Sequence, residues 1–186
     1  GMGPAGATAA AALSRGGLAV LGVDKATHPR YKVCGGGLSA RIAQLLEPGF
    51  QSVVEQAVNG VQFVYRGQDP LLIQSAQPIA YMVMRDRFDH YLVEQAVHAG
   101  TEIRTGEGVL EIKQDSDGVE VETRQNRYRA KIVIGADGAN SLVARRFFPS
   151  RSDFLAPALE SEVLRGDGRH FPGATTILVD VGAARQ

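Results

Sequence analysis

The chain has 186 residues, of which 44% are hydrophobic and 22% charged, as is typical of a globular domain with a hydrophobic core. Its 20 basic and 20 acidic side chains cancel, so no basic excess favours nucleic acid as a partner. The single cysteine, Cys34, excludes an internal disulfide, and the histidines lack metal-ligand spacing, so we expect no metal site. No apolar run reaches the about 18 residues of a membrane span, and no secretory signal leads the chain. We therefore expect a cytoplasmic protein.

The first motif is a glycine-rich turn at residues 1–6, Gly-Met-Gly-Pro-Ala-Gly, which opens an alanine-rich stretch. Alanine favours helix, and Gly16 and Gly17 are typical of a helix end. The apolar run from Leu18 to Val23 predicts a strand buried on both faces, and it stops at Asp24. This order predicts the later part of a βαβ unit.

Such a turn can bind a pyrophosphate, because glycines leave no Cβ between the ligand and the backbone N–H groups. Gly1, Gly3 and Gly6 are therefore candidate ligand-binding residues. Asp24 follows Gly6 by 18 residues, close to the spacing of a ribose-binding acid. The alternative is a glycine-rich turn followed by an incidental acid.

The remaining pattern predicts an α/β doubly wound sheet with a second, antiparallel domain. The predicted elements are a short helix capped by Ser39, strands at 61–66 and 79–84, a helix at 86–99, strands at 101–105, 108–113 and 119–123, a buried strand at 131–134, a helix begun by Asn140 or Ser141, and antiparallel strands at 160–164 and 175–181. We place the first domain at 1–50 and 82–150 and the partial second domain at 51–81 and 151–186.

Two further stretches are candidate sites. The first is Arg85 with Asp89. In the alternative interpretation, Asp89 helps to cap the helix begun by Asp86, and Arg85 is a solvated charge beside it. The other is the segment 135–141, in which Asp137 stands between a predicted buried strand and a helix, where ligands bind in open α/β sheets. An ordinary turn with a helix cap is the alternative there.

The stretches GMGPAG, MRDRFDHYL and GADGANS, in this order and at these separations, resemble the FAD-binding signature of the hydroxylase-like flavoproteins. That group includes aromatic hydroxylases, halogenases and prenyl reductases. The stretch PRYKVCGGGLS at 29–39 is similar to a segment of the geranylgeranyl reductases. The resemblance implies a Rossmann-like FAD-binding domain with part of an antiparallel β-rich substrate domain.

The resemblance also assigns roles to residues. It places Gly1, Gly3 and Gly6 along the FAD pyrophosphate, Asp24 on the adenosine ribose and Asp137 near the pyrophosphate. The other cofactor-binding residues that it implies are Lys25, Arg30, Gly35, Gly36 and Arg85. Cys34 would lie near the flavin ring or the substrate cavity as a catalytic candidate, with Lys32 lowering its pKa, whereas a lone cysteine is more often a small buried residue. Ala144 stands where the family usually has arginine, and Arg145 is one position out of register.

The implied activity is FAD-dependent reduction of isoprenoid double bonds, with NADPH or a reduced carrier as electron donor. An FAD-dependent monooxygenase of an aromatic substrate and a truncated nucleotide-binding module without activity stay open as alternatives. The partner would be an isoprenoid or lipid substrate, which is compatible with peripheral membrane contact, and the oligomeric state is open. Because the family has a strand before the glycine turn, flanked by the strands at 18–23 and 131–134, and further motifs later, we expect a protein about twice as long.

Overall fold

The computed structural model describes residues 1–148, 158–161 and 175–182. Their helices and strands, in chain order, are α1 (Pro4–Arg15), β1 (Leu21–Val23), β2 (Gly37–Ser39), β3 (Val54–Val58), β4 (Gly60–Tyr65), β5 (Gln68–Gln74), β6 (Ala80–Val83), α2 (Arg85–His98), β7 (Glu102–Arg104), β8 (Val109–Asp115), β9 (Gly118–Thr123), β10 (Arg127–Ala130), α3 (Leu142–Phe147) and β11 (Thr176–Val181). Short 3₁₀ helices cover Ala40–Leu45 and Pro48–Val53.

The described residues divide into two compact units. The first contains residues 1–32 and 86–148, and the second contains 33–85, 158–161 and 175–182. The division assigns 33–50 to the second unit, whereas the sequence had grouped these residues with the dinucleotide-binding domain. The sequence offered no boundary signal there, because the glycine-rich stretch is compatible with either side of a domain border.

In the first unit, α1 follows the glycine turn as predicted. Pro4 stands at the first helical position, where its missing N–H costs nothing, and Gly17 ends the helix region at a φ of 80°. β1 then pairs in parallel with β7, so that Gly22 lies opposite Ile103. The buried Met2 side chain packs where a Cβ at Gly22 would lie, which holds the turn against this strand pair.

Of two strand predictions in this unit, one is wrong in part and the other is wrong. The run at 18–23 forms a strand only over its last three residues and is not buried on both faces, since Leu18 is 58% exposed. The run at 131–134 forms no strand, and Ile132 is 79% exposed. A strand needs a neighbour for its backbone groups, and among the described residues β1 pairs with β7 alone and 131–134 pairs with none. The expectation that both runs flank a further strand stays a prediction.

Helix α2 supplies much of the core of this unit. Its stripe of Phe88, Leu92 and Ala96 is buried, as the spacing by four residues predicts. β8, β9 and β10 form an antiparallel meander, of which the sequence predicted the first two strands and the turn between them. Ser141, one of the two residues predicted to cap α3, accepts a hydrogen bond from the backbone N–H of Ala144 at 2.9 Å.

The second unit contains two three-stranded sheets. One has the order β2-β6-β3 and is antiparallel, and the other has the order β11-β4-β5. In the latter, β11 runs parallel to β4, with Thr176 opposite Gly60. The prediction of an antiparallel strand at 175–181 is therefore wrong in direction, because side-chain alternation has the same period in both orientations.

Other elements of this unit differ from the sequence pattern in smaller ways. Ser39 belongs to β2 and makes no side-chain cap to the 3₁₀ helix that follows it. Of the strand predicted at 160–164, Glu160 and Ser161 are not in a strand, and 162–164 lie outside the described residues. The strands predicted at 61–66 and 79–84 are confirmed as β4 and β6, while β3 and β5 were not predicted.

Candidate cofactor-binding site

The glycine turn packs tightly on itself and on the segment before α3. A Cβ added at Gly1 would lie 2.6 Å from the carbonyl oxygen of Ala136, and one at Gly6 would overlap the carbonyl oxygen of Gly1. A Cβ at Gly3 would lie 3.3 Å from Nη2 of Arg30. Glycine is therefore required at the first and last of these positions by close backbone approach, and the structure brings the three glycines together with residues 136–137.

The turn leads into the N-terminus of α1 without a side chain that caps it. Gly3 is the N-cap residue, and no acidic residue stands in the first turn. The first hydrogen bond of the helix is donated by Ala7 to the Gly3 carbonyl at 2.9 Å, so the N–H groups of Ala5 and Gly6 have no acceptor within the helix. Together with the helix dipole, these N–H groups favour an anion at this end of α1.

Asp24 holds the glycine turn to the end of β1. Its side chain is buried, and it accepts hydrogen bonds from the N–H of Met2 at 2.5 Å and of Ala26 at 2.8 Å. Burial alone would raise the pKa of Asp24, but the hydrogen bonds from Ala26 and Met2 outweigh it and hold the pKa below its ordinary value. The carboxylate thus has structural partners on both oxygens, and its contact with a ribose stays a prediction.

A second anchor of this segment is Glu107, which the sequence did not single out. Glu107 is buried and accepts hydrogen bonds from the side chains of Thr123, Asn126 and Tyr128. These bonds, that from Thr123 first, lower the pKa of Glu107. Its N–H donates to the Asp24 carbonyl at 2.9 Å, which links the β8–β10 meander to the segment after β1.

Lys25 and His28 belong to this same segment. Lys25 is exposed, and its Cβ lies 3.6 Å from the position of a Cβ at Gly108. The His28 side chain is only 2% exposed, and its Nε2 lies 3.6 Å from Asp24 Oδ2. Neither ring nitrogen of His28 has a hydrogen-bond partner among the residues that the structure describes. Nothing in the sequence distinguished this histidine from the others except its position four residues after Asp24.

Arg30 and Asp89 form a pair that spacing along the chain did not indicate. Arg30 Nη2 donates to Asp89 Oδ2 at 3.0 Å, although the two residues are 59 positions apart. Asp89 lies in α2 and is fully buried, at 0% exposed. Arg30 Nη1 is also buried, and in the described part of the chain it has no hydrogen-bond partner. The carboxylate that the sequence had associated with helix capping therefore faces the interior and holds an arginine beside Gly3.

These features fit a phosphate-bearing group. Backbone groups at the turn approach so closely that only glycine fits at Gly1 and Gly6, and the first N–H groups of α1 have no acceptor within the helix. Among the described residues, Arg30 Nη1 has no hydrogen-bond partner. All of them favour negative charge at the start of α1. A dinucleotide pyrophosphate meets this requirement, since it is anionic and can approach the backbone closely.

The Asp137 carboxylate caps the start of α3. It accepts hydrogen bonds from the Ser141 hydroxyl and the Leu142 N–H, each at 2.6 Å, and from the Val143 N–H at 3.2 Å. Burial would raise the pKa of Asp137, but these bonds lower it below its ordinary value. Its backbone lies next to Gly1, so the segment stands beside the glycine turn while the carboxylate caps the helix. Arg145, the out-of-register arginine, donates to the Asn140 carbonyl at 2.7 Å.

The remaining predicted residues lie in the second unit, where Arg85 ends the first of its chain segments. Cys34 is exposed there, in contrast to the buried role that a lone cysteine commonly has. The Gly36 N–H and then the Arg85 side chain lower the pKa of the Cys34 thiol by hydrogen bonding. The effect expected of Lys32 stays a prediction. Gly36 has a φ of 68° and packs against the Val83 carbonyl, whereas a Cβ at Gly35 would meet open space.

The described residues lack two kinds of feature. In the stretches that the structure describes, no group of three or more His, Cys, Asp or Glu side chains is arranged to hold a metal ion. Among the helices of these same residues, none is both long and apolar enough to cross a membrane.

Comparison with protein families finds a match between residues 1–152 and a family described as FAD binding domain. Among curated proteins, the chain is 32% identical over 160 residues to an uncharacterized protein of Methanosarcina barkeri, covering 86% of this chain and 41% of that protein. It is 34% identical to Protein FixC of Salmonella typhi and 31% identical to a probable electron transfer flavoprotein-quinone oxidoreductase, YdiS, of Escherichia coli. Each match covers 78% of this chain and 37% of the relative, so the chain spans about two fifths of these relatives.

Solved structures are similar over most of the chain. The halogenase PltM in complex with phloroglucinol and FAD is 26% identical, with a TM-score of 0.64 over 78% of this chain and 35% of the halogenase. A geranylgeranyl bacteriochlorophyll reductase-like protein of Thermoplasma acidophilum is 25% identical, with a TM-score of 0.59 over 69% of this chain and 35% of that protein. The predicted fold class, an α/β FAD-binding domain accompanied by antiparallel sheets, is confirmed.

Proposed function

The chain belongs to the FAD binding domain family, and from this membership we propose that it is the cofactor-binding region of an FAD-dependent oxidoreductase. FAD supplies hydride and electron transfer when bound, and the protein supplies binding and orientation. The observation that carries the proposal is the unpaired Nη1 of Arg30, on a guanidinium held beside Gly3 at the start of α1.

In this proposal each group at the turn has a separate task. The pyrophosphate is bound by the N–H groups of Ala5 and Gly6 and by the guanidinium of Arg30. Its negative charge is favoured by the positive end of the α1 dipole. Asp24 fixes the turn through Met2 before any ligand arrives. Because each carboxylate oxygen can accept more than one hydrogen bond, a ribose hydroxyl can add to the partners that Asp24 already has.

For the substrate, we propose an isoprenoid whose double bonds are reduced. Three features support it: the segment 29–39 resembles geranylgeranyl reductases, a structure described as geranylgeranyl bacteriochlorophyll reductase-like is 25% identical, and Gly35 leaves open space on the backbone. Cys34 is exposed in this segment, and the Gly36 N–H and then the Arg85 side chain lower the pKa of its thiol. When its thiol is protonated, Sγ–H can donate the proton that hydride addition to a double bond requires, or the side chain can orient the substrate.

A second candidate is transfer of electrons to a quinone. The relative named a probable electron transfer flavoprotein-quinone oxidoreductase is 31% identical, which is above the identity to the reductase-like structure. A third candidate, monooxygenation or halogenation of an aromatic ring, rests on the 26% identical halogenase.

One experiment separates the three candidates. The purified protein is reduced chemically and is offered geranylgeranyl diphosphate or a soluble quinone without oxygen, and in parallel phloroglucinol with a halide salt, with and without oxygen. A mass gain of two hydrogens per double bond supports the isoprenoid reductase, and loss of quinone absorbance without that product supports electron transfer. A gain of oxygen or halogen on an aromatic substrate, only in the presence of oxygen, would contradict both.

A further inference from the structure

The pair of Arg30 and Asp89 has features that stability alone does not explain. Asp89 is 0% exposed, and a carboxylate in that environment must be paired with a cation or hydrogen-bond donors. Yet a buried ion pair is weak evidence of a net gain in stability, because desolvation opposes the attraction between the charges. An apolar residue in α2, beside Phe88 and Leu92, would fill the same interior more simply.

The geometry of the pair leaves part of the arginine without a partner. Asp89 Oδ2 accepts a hydrogen bond from Arg30 Nη2 at 3.0 Å. Arg30 Nη1 is buried and has no hydrogen-bond partner among the described residues. The guanidinium is planar, so fixing one branch also fixes the direction of the other N–H groups. Arg30 Nη2 lies 3.3 Å from the Cβ position of Gly3, which places the group at the start of α1.

Arg30 itself lies on an irregular segment after β1, and a long side chain there would otherwise sample many rotamers. Ordering an arginine side chain costs conformational entropy, which a ligand must offset if the side chain is free. The contact with Asp89 offsets that cost in the folded protein, before a ligand binds.

We propose that Asp89 is a positioning residue, which holds the Arg30 guanidinium at the glycine turn so that its remaining N–H groups meet the cofactor pyrophosphate. The inference rests on the proposed function, since it requires a phosphate-bearing ligand at the turn. It assigns to α2 a role in cofactor affinity without direct contact between Asp89 and the cofactor.

The test compares ADP, which carries a pyrophosphate, with adenosine, which carries none, by calorimetric titration of the purified protein. Asp89→Asn removes the charge that holds Arg30, and Asp89→Glu keeps the charge but shifts the pairing by one methylene. We expect both to weaken ADP binding about tenfold, as for a lost charge-assisted hydrogen bond, and to leave adenosine binding unchanged. A merely structural role would weaken both ligands alike.

Two matched variants complete the design. Asp115→Asn breaks the exposed Asp115–Arg129 pair of the same unit, whose contacts are 2.6 and 2.9 Å, and it should leave ADP binding as in the wild type. Arg30→Gln should weaken ADP binding by at least as much as Asp89→Asn, and the double variant should be no weaker than Arg30→Gln, because the two residues act through one contact. If Asp89→Asn does not fold, Asp89→Glu decides the question.

The outcomes distinguish the two proposals. If the wild type binds neither ADP nor FAD, the proposed function fails and this inference fails with it. If the wild type binds both ligands and the Asp89 variants bind ADP like Asp115→Asn, only the positioning role is overturned. An equal loss of ADP and adenosine affinity in the Asp89 variants also overturns it.

Discussion

The carboxylate of Asp24 accepts a hydrogen bond from the backbone N–H of Met2, 22 residues earlier in the chain, at 2.5 Å. This contact joins the acid at the end of β1 to the turn at the start of α1. The Met2 side chain is buried against Gly22, so the same residue is fixed through its backbone and its side chain. The turn is therefore shaped before a ligand binds, which reduces the entropy lost on binding.

The first prediction concerns Asp24→Asn. The change replaces a charged acceptor of two backbone N–H groups with a neutral amide, so we expect a loss of about 1.5–3 kcal/mol in the free energy of unfolding. Urea unfolding followed by circular dichroism measures this loss. Asp117→Asn, at an exposed turn of the same unit, serves as the control. Equal unfolding midpoints for the two variants would remove Asp24 from the structural role assigned to it.

The second prediction concerns pH. The pKa values of Asp24 and Asp137 are lowered in the folded protein from an ordinary value of 3.8. A carboxylate of this kind stabilises the fold fully above its unfolded pKa, and the contribution is lost as the pH falls through the folded pKa. The wild type should therefore lose stability below pH 3.8 more steeply than Asp24→Asn, in urea unfolding repeated between neutral pH and acid. Parallel curves for the two proteins would contradict the shift assigned to Asp24.

The third prediction concerns Gly6→Ala. The added Cβ would overlap the carbonyl oxygen of Gly1, so the turn must move or the helix must shift. We expect a loss of about 1–3 kcal/mol in stability, the usual cost of an overpacked site, together with loss of FAD binding. Gly108→Ala is the matched control, because its Cβ would meet Lys25 at 3.6 Å, an ordinary contact. Normal FAD affinity in Gly6→Ala would show that the turn is not part of the site.

The fourth prediction concerns the thiol of Cys34. Because the Arg85 side chain is one of the groups that lower its pKa, Arg85→Gln should raise that pKa and move the pH profile of alkylation by iodoacetamide to higher pH. The rate at neutral pH should fall accordingly. Arg41→Gln removes the same charge from an exposed position of the same unit and should leave the profile unchanged. An identical shift in both variants would attribute the effect to net charge and not to the contact.

The sequence predicted those parts of the molecule that local chemistry determines. The buried stripe of α2, the Ser141 cap and the glycine ends of α1 follow from spacing and from the conformational preferences of a few residues. Strand direction does not, and β11 was accordingly predicted in the wrong orientation. The run at 131–134 has the composition of a strand, but the described residues give it no neighbour to pair with.

Within the site, the sequence indicated single residues but not most of their partners. Gly1, Gly3 and Gly6 were predicted, since the reason for glycine there is the local backbone. The pairs Arg30–Asp89 and Cys34–Arg85 join residues that are far apart in sequence, and no pattern in one chain encodes such contacts. Asp24 was predicted as a ligand of a ribose, whereas the structure first gives it two backbone partners.

The most direct measurement is the identity of the flavin that the purified protein binds. We predict that heat denaturation releases FAD, one per chain, and that the stripped protein takes up FAD but binds FMN far more weakly, because FMN lacks the pyrophosphate and the adenosine. The quenching of flavin fluorescence on titration gives both affinities. A stripped protein that leaves the fluorescence of FAD unchanged, or that binds FMN as tightly as FAD, would contradict the placement of a dinucleotide pyrophosphate at the start of α1.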